Sequence, residues 1–117
     1  MGVGTLRAEA PRFSRSPAWE TLIKQYDDAA AKLETYRARI YKPADVGGRM
    51  TQAVESEFDR LAGAEWEAVQ QLLLAASPTL AAVAMKTRLF VAHEVQECTV
   101  AAEAVRAIGA DLDRLAA

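Results

Sequence analysis

Pro17-Ala-Trp19-Glu-Thr-Leu22-Ile23-Lys-Gln-Tyr26-Asp-Asp-Ala29-Ala30-Ala-Lys-Leu33-Glu-Thr-Tyr36-Arg-Ala-Arg-Ile40-Tyr41 is the stretch that decides the fold class. Its apolar residues Trp19, Leu22, Tyr26, Ala29, Leu33, Tyr36 and Ile40 recur at spacings that alternate three and four. That is the heptad seam of an amphipathic helix, widened on one side by Ile23 and Ala30. Lys24, Asp27, Asp28, Lys32 and Arg39 fall on the other faces. Ser16 and Pro17 supply an N-cap and a first helical residue whose missing N–H has no partner to lose. Pro43 disfavours the α region in the residue before it, so the helix is expected to stop near Tyr41.

Working outward, Lys42-Pro-Ala-Asp-Val-Gly-Gly48 reads as a turn between antiparallel helices. A second helix is expected over 49–76, with the seam Met50, Val54, Phe58, Leu61, Trp66, Val69 and Leu73. Gly63 interrupts this pattern, and two shorter helices divided there are the alternative. Ser77-Pro78 repeats the Ser-Pro opening, and a third helix is expected over 78–108, or to 116 if it passes Gly109. Its best seam is Leu80, Ala84, Thr87, Val91, Val95, Cys98, Ala102, Val105, Ile108, Leu112 and Leu115. The expected fold is all-α: an antiparallel bundle of three long helices in one domain, 16–117. Residues 1–15, rich in breakers and arginine, read as a flexible arm in which Phe13 alone has a reason to tuck inward.

Composition supports this and narrows function. The 117 residues are 51% hydrophobic and 26% charged, a globular balance. Alanine, the best helix former, makes up about a fifth of the chain. A formal charge of −2 and a pI near 5.4 give no general basic surplus for nucleic acid. No apolar run reaches the length of a membrane span, and the first residues match neither a secretory signal nor a myristoylation site. The single cysteine, Cys98, allows no internal disulfide and suits a reducing, cytoplasmic setting.

The one cluster of potential metal ligands is His93, Glu94, Glu97 and Cys98. On a continuous helix His93 shares a face with Glu97, and Glu94 with Cys98. A catalytic zinc needs a third protein ligand, and the chain has no other His or Cys. A carboxylate-bridged di-iron site needs Glu-x-x-His motifs, and the chain has none. The expectation is an exposed His/Glu pair beside a core thiol, with no metal and no cofactor. No Gly-x-Ser-x-Gly or phosphate-binding glycine loop occurs. We therefore expect no catalytic residues and no enzyme.

Two surfaces remain. Arg37, Arg39, Lys42 and Arg49 flank the first turn as a basic patch able to meet phosphates, although cations there also complement a helix C-terminus. Leu89, Phe90, Val105, Ile108, Leu112 and Leu115 lie on or beside the long third-helix seam, and one chain offers them too few neighbours. They are the expected interface for a protein partner or a homodimer. Trp19, Tyr26, Tyr36 and Trp66 read as core, the tyrosines at its edge because their hydroxyls need partners.

Taken together, Trp19-x-x-Leu22-x-x-x-Tyr26-x-x-Ala29, the short Pro/Gly turn and Ser77-Pro78-Thr-Leu80-Ala81-x-x-Ala84-x-Lys86-x-x-Leu89 resemble small helical proteins of alphaproteobacterial genomes, some of them prophage-borne. The likeness covers residues 17–116. It implies a bacterial cytoplasmic setting and a mobile-element origin; that group has no assigned activity, so no residue role comes with it. The sequence points to a non-catalytic helical protein-binding module, adaptor or regulator. A nucleic-acid-associated factor is the alternative, and a metal-binding helical protein comes third.

Overall fold

The computed structural model describes residues 17–117. Their order is α1 (Pro17–Tyr36), a π-helical turn (Arg37–Tyr41), α2 (Lys42–Val46), α3 (Gln52–Leu74), α4 (Leu80–Ala92), a 3₁₀ turn (Val95–Glu97) and α5 (Ala101–Ala116). The chain is all-helical, with no strand among the described residues. The expected arm over 1–15, with Phe13, and the Ser16 cap lie outside the described residues.

The described chain divides into two compact units, one of residues 24–69 and one of residues 17–23 with 70–117; the divisions fall inside α1 and α3. Residues 24–69 form an antiparallel helical hairpin. Leu33 and Leu61 are buried in it. The Tyr36 hydroxyl donates to the Val54 carbonyl at 3.2 Å, which meets the need of a tyrosine at a core edge. Tyr41 stacks on Phe58 with ring centroids 4.0 Å apart, and the Arg37 guanidinium lies 5.5 Å from the same ring centroid. The turn is a Schellman motif. Gly48 takes the left-handed conformation (φ +67), Gly48 N–H bonds to Asp45 O, and Arg49 N–H bonds to Ala44 O at 2.8 Å. Thr51 then caps α3 by accepting from Val54 N–H.

Proline does not end the first helix at Tyr41. The chain stays helical through Pro43 to Val46 by widening into a π turn, in which Lys42 N–H bonds to Arg37 O five residues back. A proline ring collides with the carbonyl four residues earlier, here Arg39, and leaves it without a donor. One extra residue in the turn moves that carbonyl aside. The second helix begins at Gln52 and passes Gly63 unbroken to Leu74.

The third expected helix is two helices. α4 starts at Leu80, with Thr79 rather than Ser77 as its cap: the Thr79 hydroxyl accepts from Ala82 N–H at 3.1 Å. It ends at His93, and Glu94 takes the left-handed conformation with φ 51. α5 runs unbroken through Gly109. No Gly or Pro marks the break. Its cause is burial. On a straight helix Val95 and Val100 would diverge by about 140°. With the chain bent, both are buried with Leu89 and Ala104. Val95, Thr99 and Val100, all β-branched, resist the bend less than better helix formers would.

Candidate functional site

The bend changes which face of the third segment is core. The buried residues of α4 are Ala82, Val83, Lys86 and Leu89. The part of the expected seam that falls on α4 lies outside: Leu80 is 64% exposed and Val91 67%, with Ala84 and Thr87 exposed between them, while Val95, past the helix end, is buried. Ala84, Thr87, Arg88 and Val91 line a shallow depression of about 650 Å³. On α5, Val105 and Leu112, seven residues apart, are also exposed, and Ile108 and Leu115 beside them are half-buried. Of the six expected interface residues, Leu89 is spent on its own core and Phe90 is half-buried.

One lysine marks the buried face. Lys86 is wholly buried, with its ammonium on Asp111 Oδ2 at 2.6 Å, on the Ala75 carbonyl, and 5.9 Å from the Trp19 ring centroid. Asp111, 2% exposed, also accepts from Ser77 N–H at 3.0 Å and from the Ser77 hydroxyl at 2.7 Å. Arg114 closes the group, donating to Asp111 Oδ1 and to the Ser77 carbonyl. Burial by itself would raise the Asp111 carboxyl. Hydrogen bonds from Lys86 and from the Ser77 hydroxyl and N–H, with the Lys86 charge, outweigh it and hold the pKa at about 2. Ser77 and Lys86 are sealed from solvent, so this network clasps α5 to residues 75–77 and offers no entry to a substrate. A Lys three places from both Val83 and Leu89 was the available signal, but only its distant partner turns it inward.

In the hairpin the π turn creates a second surface. It displaces Ile40 from the seam it was expected to join. Tyr41 takes the inner place against Phe58, and Ile40 is left 45% exposed. Ile40 and Arg39 then line an open groove of about 650 Å³, together with Lys32, Tyr36, Arg60 and Leu61. Glu57 on the same wall is engaged by Arg60 through two bonds, at 2.8 and 2.6 Å. The Arg60 hydrogen bonds hold its carboxyl below the usual range.

The expected basic patch is divided by these contacts. Arg37 bonds to Glu34 at 2.9 Å and lies over Phe58. Arg39 enters the groove. Lys42 is exposed on α2. Arg49 folds over the turn, where a Cβ placed on Gly47 would meet its Nη1 at 2.5 Å.

The expected ligand cluster lies in the bend. His93 caps α4, Glu94 and Glu97 are exposed, and Cys98 sits half-exposed on extended backbone, its Sγ 3.8 Å from Glu94 O. Because the helix ends at His93, the shared faces expected for His93/Glu97 and Glu94/Cys98 do not form. Nor is Cys98 a core thiol. Among the described residues no three His, Cys, Asp or Glu side chains gather as a metal site. No helix among them is long and apolar enough to cross a membrane. No protein-family model, curated protein or solved structure matches the chain.

Proposed function

We propose that this chain is a non-catalytic helical module that works by binding protein surfaces, as an adaptor or regulator, and that it pairs with a second copy of itself. The observation that carries this reading is the apolar seam left outside the core: Leu80, Ala84, Thr87 and Val91 on α4, and Val105 and Leu112 on α5. Both helices bury another face, Val83, Lys86 and Leu89 on α4 and Ala104 and Asp111 on α5, so the unit has a core without these side chains. Apolar residues at spacings of three, four and seven are the pattern by which one helix lies against another. A two-fold pairing would cover them on both chains at once.

Sedimentation at about 0.5 mM chain, well above the dissociation constant expected of so small a surface, tests the reading. A mass of two chains is expected, falling to one chain in a Leu80→Asp, Val91→Asp, Val105→Asp, Leu112→Asp variant with unchanged helical circular dichroism. A single-chain mass throughout, together with a failure of the native chain to capture any protein that this variant releases, refutes it.

A further inference from the structure

Resting on the reading of the chain as a protein-binding module, we propose that the groove beside the π turn is a docking site for an amphipathic helix of a partner protein, one whose apolar stripe is flanked by carboxylates. Three observations converge. The first is the π turn itself. Continuing α-helix would have carried Ile40 into the seam after Tyr36. The inserted residue rotates Ile40 out and leaves a large apolar side chain exposed beside buried Leu61. Turns of this kind sacrifice regular helix bonding and concentrate at functional sites.

The second is charge. Lys32 and Arg39 stand seven residues apart along the same wall, and among the described residues neither meets a carboxylate. Arg60, opposite, is neutralised by Glu57. Among the described residues the groove thus carries two uncompensated positive charges beside the apolar side chains of Ile40, Leu61 and Ala31. Its complement is an apolar surface edged with negative charge.

The third is shape. The α1 wall runs from Ala31 to Ile40, about 13 Å at 1.5 Å per residue, or two to three helical turns. Sites for compact small molecules enclose most of their ligand. A long, open trough instead suits a rod laid along it.

The test uses a fluorescein-labelled peptide of about 18 residues, long enough to hold a helix, with leucines at alternating three and four spacing flanked by glutamates. A second peptide has lysines for the glutamates. Anisotropy with the full chain should show the glutamate peptide bound and the lysine peptide at least about tenfold weaker, with added salt weakening the first. Lys32→Glu with Arg39→Glu should reverse that order, and Ile40→Asp should abolish binding of both peptides. All three positions are exposed, so circular dichroism should not change.

Equal binding of the two peptides, or indifference to the charge reversal, overturns the proposal. So does a labelled DNA duplex bound in place of the peptides and lost on the same reversal, which would assign the groove to nucleic acid. A two-chain mass lost on that reversal would assign it to a second copy and equally overturn it. The Leu80→Asp, Val91→Asp, Val105→Asp, Leu112→Asp variant should bind the glutamate peptide normally. If the peptide fails while capture through α4 and α5 persists, the groove is wrong and the module reading stands. If the peptide binds and the α4/α5 variant behaves as native, the groove stands and the binding surface proposed on α4 and α5, with the self-pairing through it, fails.

Discussion

At the scale of single residues, Asp111 carries the largest consequence. It is the only carboxylate within reach of the buried Lys86 ammonium among the described residues. Removing it leaves a charge in the core without its counter-ion, an arrangement that costs about 3–5 kcal/mol. Asp111→Ala should therefore destabilise the chain by about that much in urea titration. Replacing the pair together, Lys86→Met with Asp111→Leu, should recover most of the loss, because the desolvation of both charges disappears with their attraction. Acid should act on the same group. Its folded pKa of about 2 lies below the unfolded value of 3.8, so its contribution is complete above about pH 4 and is lost as pH falls toward 2. The size is about 2 kcal/mol at 1.4 kcal/mol per unit. Circular dichroism between pH 5 and 2 should show a loss of helix that Lys86→Met/Asp111→Leu does not share at the same midpoint. Neither partner was legible as core in the sequence, since a lone Lys or Asp on a helix reads as solvent-facing. Only the fold brings residues 25 apart together.

Among the elements, the break between α4 and α5 has a local signature at Glu94. A left-handed backbone costs an ordinary residue about 1 kcal/mol and glycine almost nothing. Glu94→Gly should stabilise the chain by about 0.5–1 kcal/mol, read as a shift of the urea midpoint at constant slope. A continuous helix through residue 94 would predict the opposite sign, because glycine weakens a helix interior. Helices were legible where one apolar stripe kept its phase, as from Trp19 to Tyr36 and from Val54 to Leu73. One helix was misjudged at a breaker: Pro43 failed to stop a helix that could widen around it. Gly63 and Gly109 do not interrupt theirs, so the alternative of two helices divided at Gly63 falls and the last helix takes the longer course to Ala116. The segment 93–100, with no breaker at all, was bent by the burial of Val95 and Val100. The exposed seam of α4 was visible as a pattern, but nothing in the pattern told which side of the helix is core. The groove needed a register shift that no residue type announces.

For the whole molecule, the strength of self-association follows from the surface left over. On α4 and α5, Leu80, Val91, Val105 and Leu112 are about half exposed or more. Covering them on two copies gains on the order of 10 kcal/mol before costs. Association costs about 4–15 kcal/mol in lost freedom. The balance, about 6 kcal/mol at best, points to a dissociation constant of tens of micromolar or weaker, so the dimer expected above should dissociate on dilution to about 1 µM. The π turn has a different kind of reach. A residue inserted in a helix is a frame change: every position beyond it is rotated by about 100° relative to the unshifted ladder. Tyr41, Pro43 and the glycine turn are all set in that altered frame. A gene that lost the Ala38 codon would keep its net charge, its large apolar residues and its helix propensity. It would nonetheless return the next apolar side chain to the core and erase the groove, so in this segment length is under tighter constraint than the identity of any one residue.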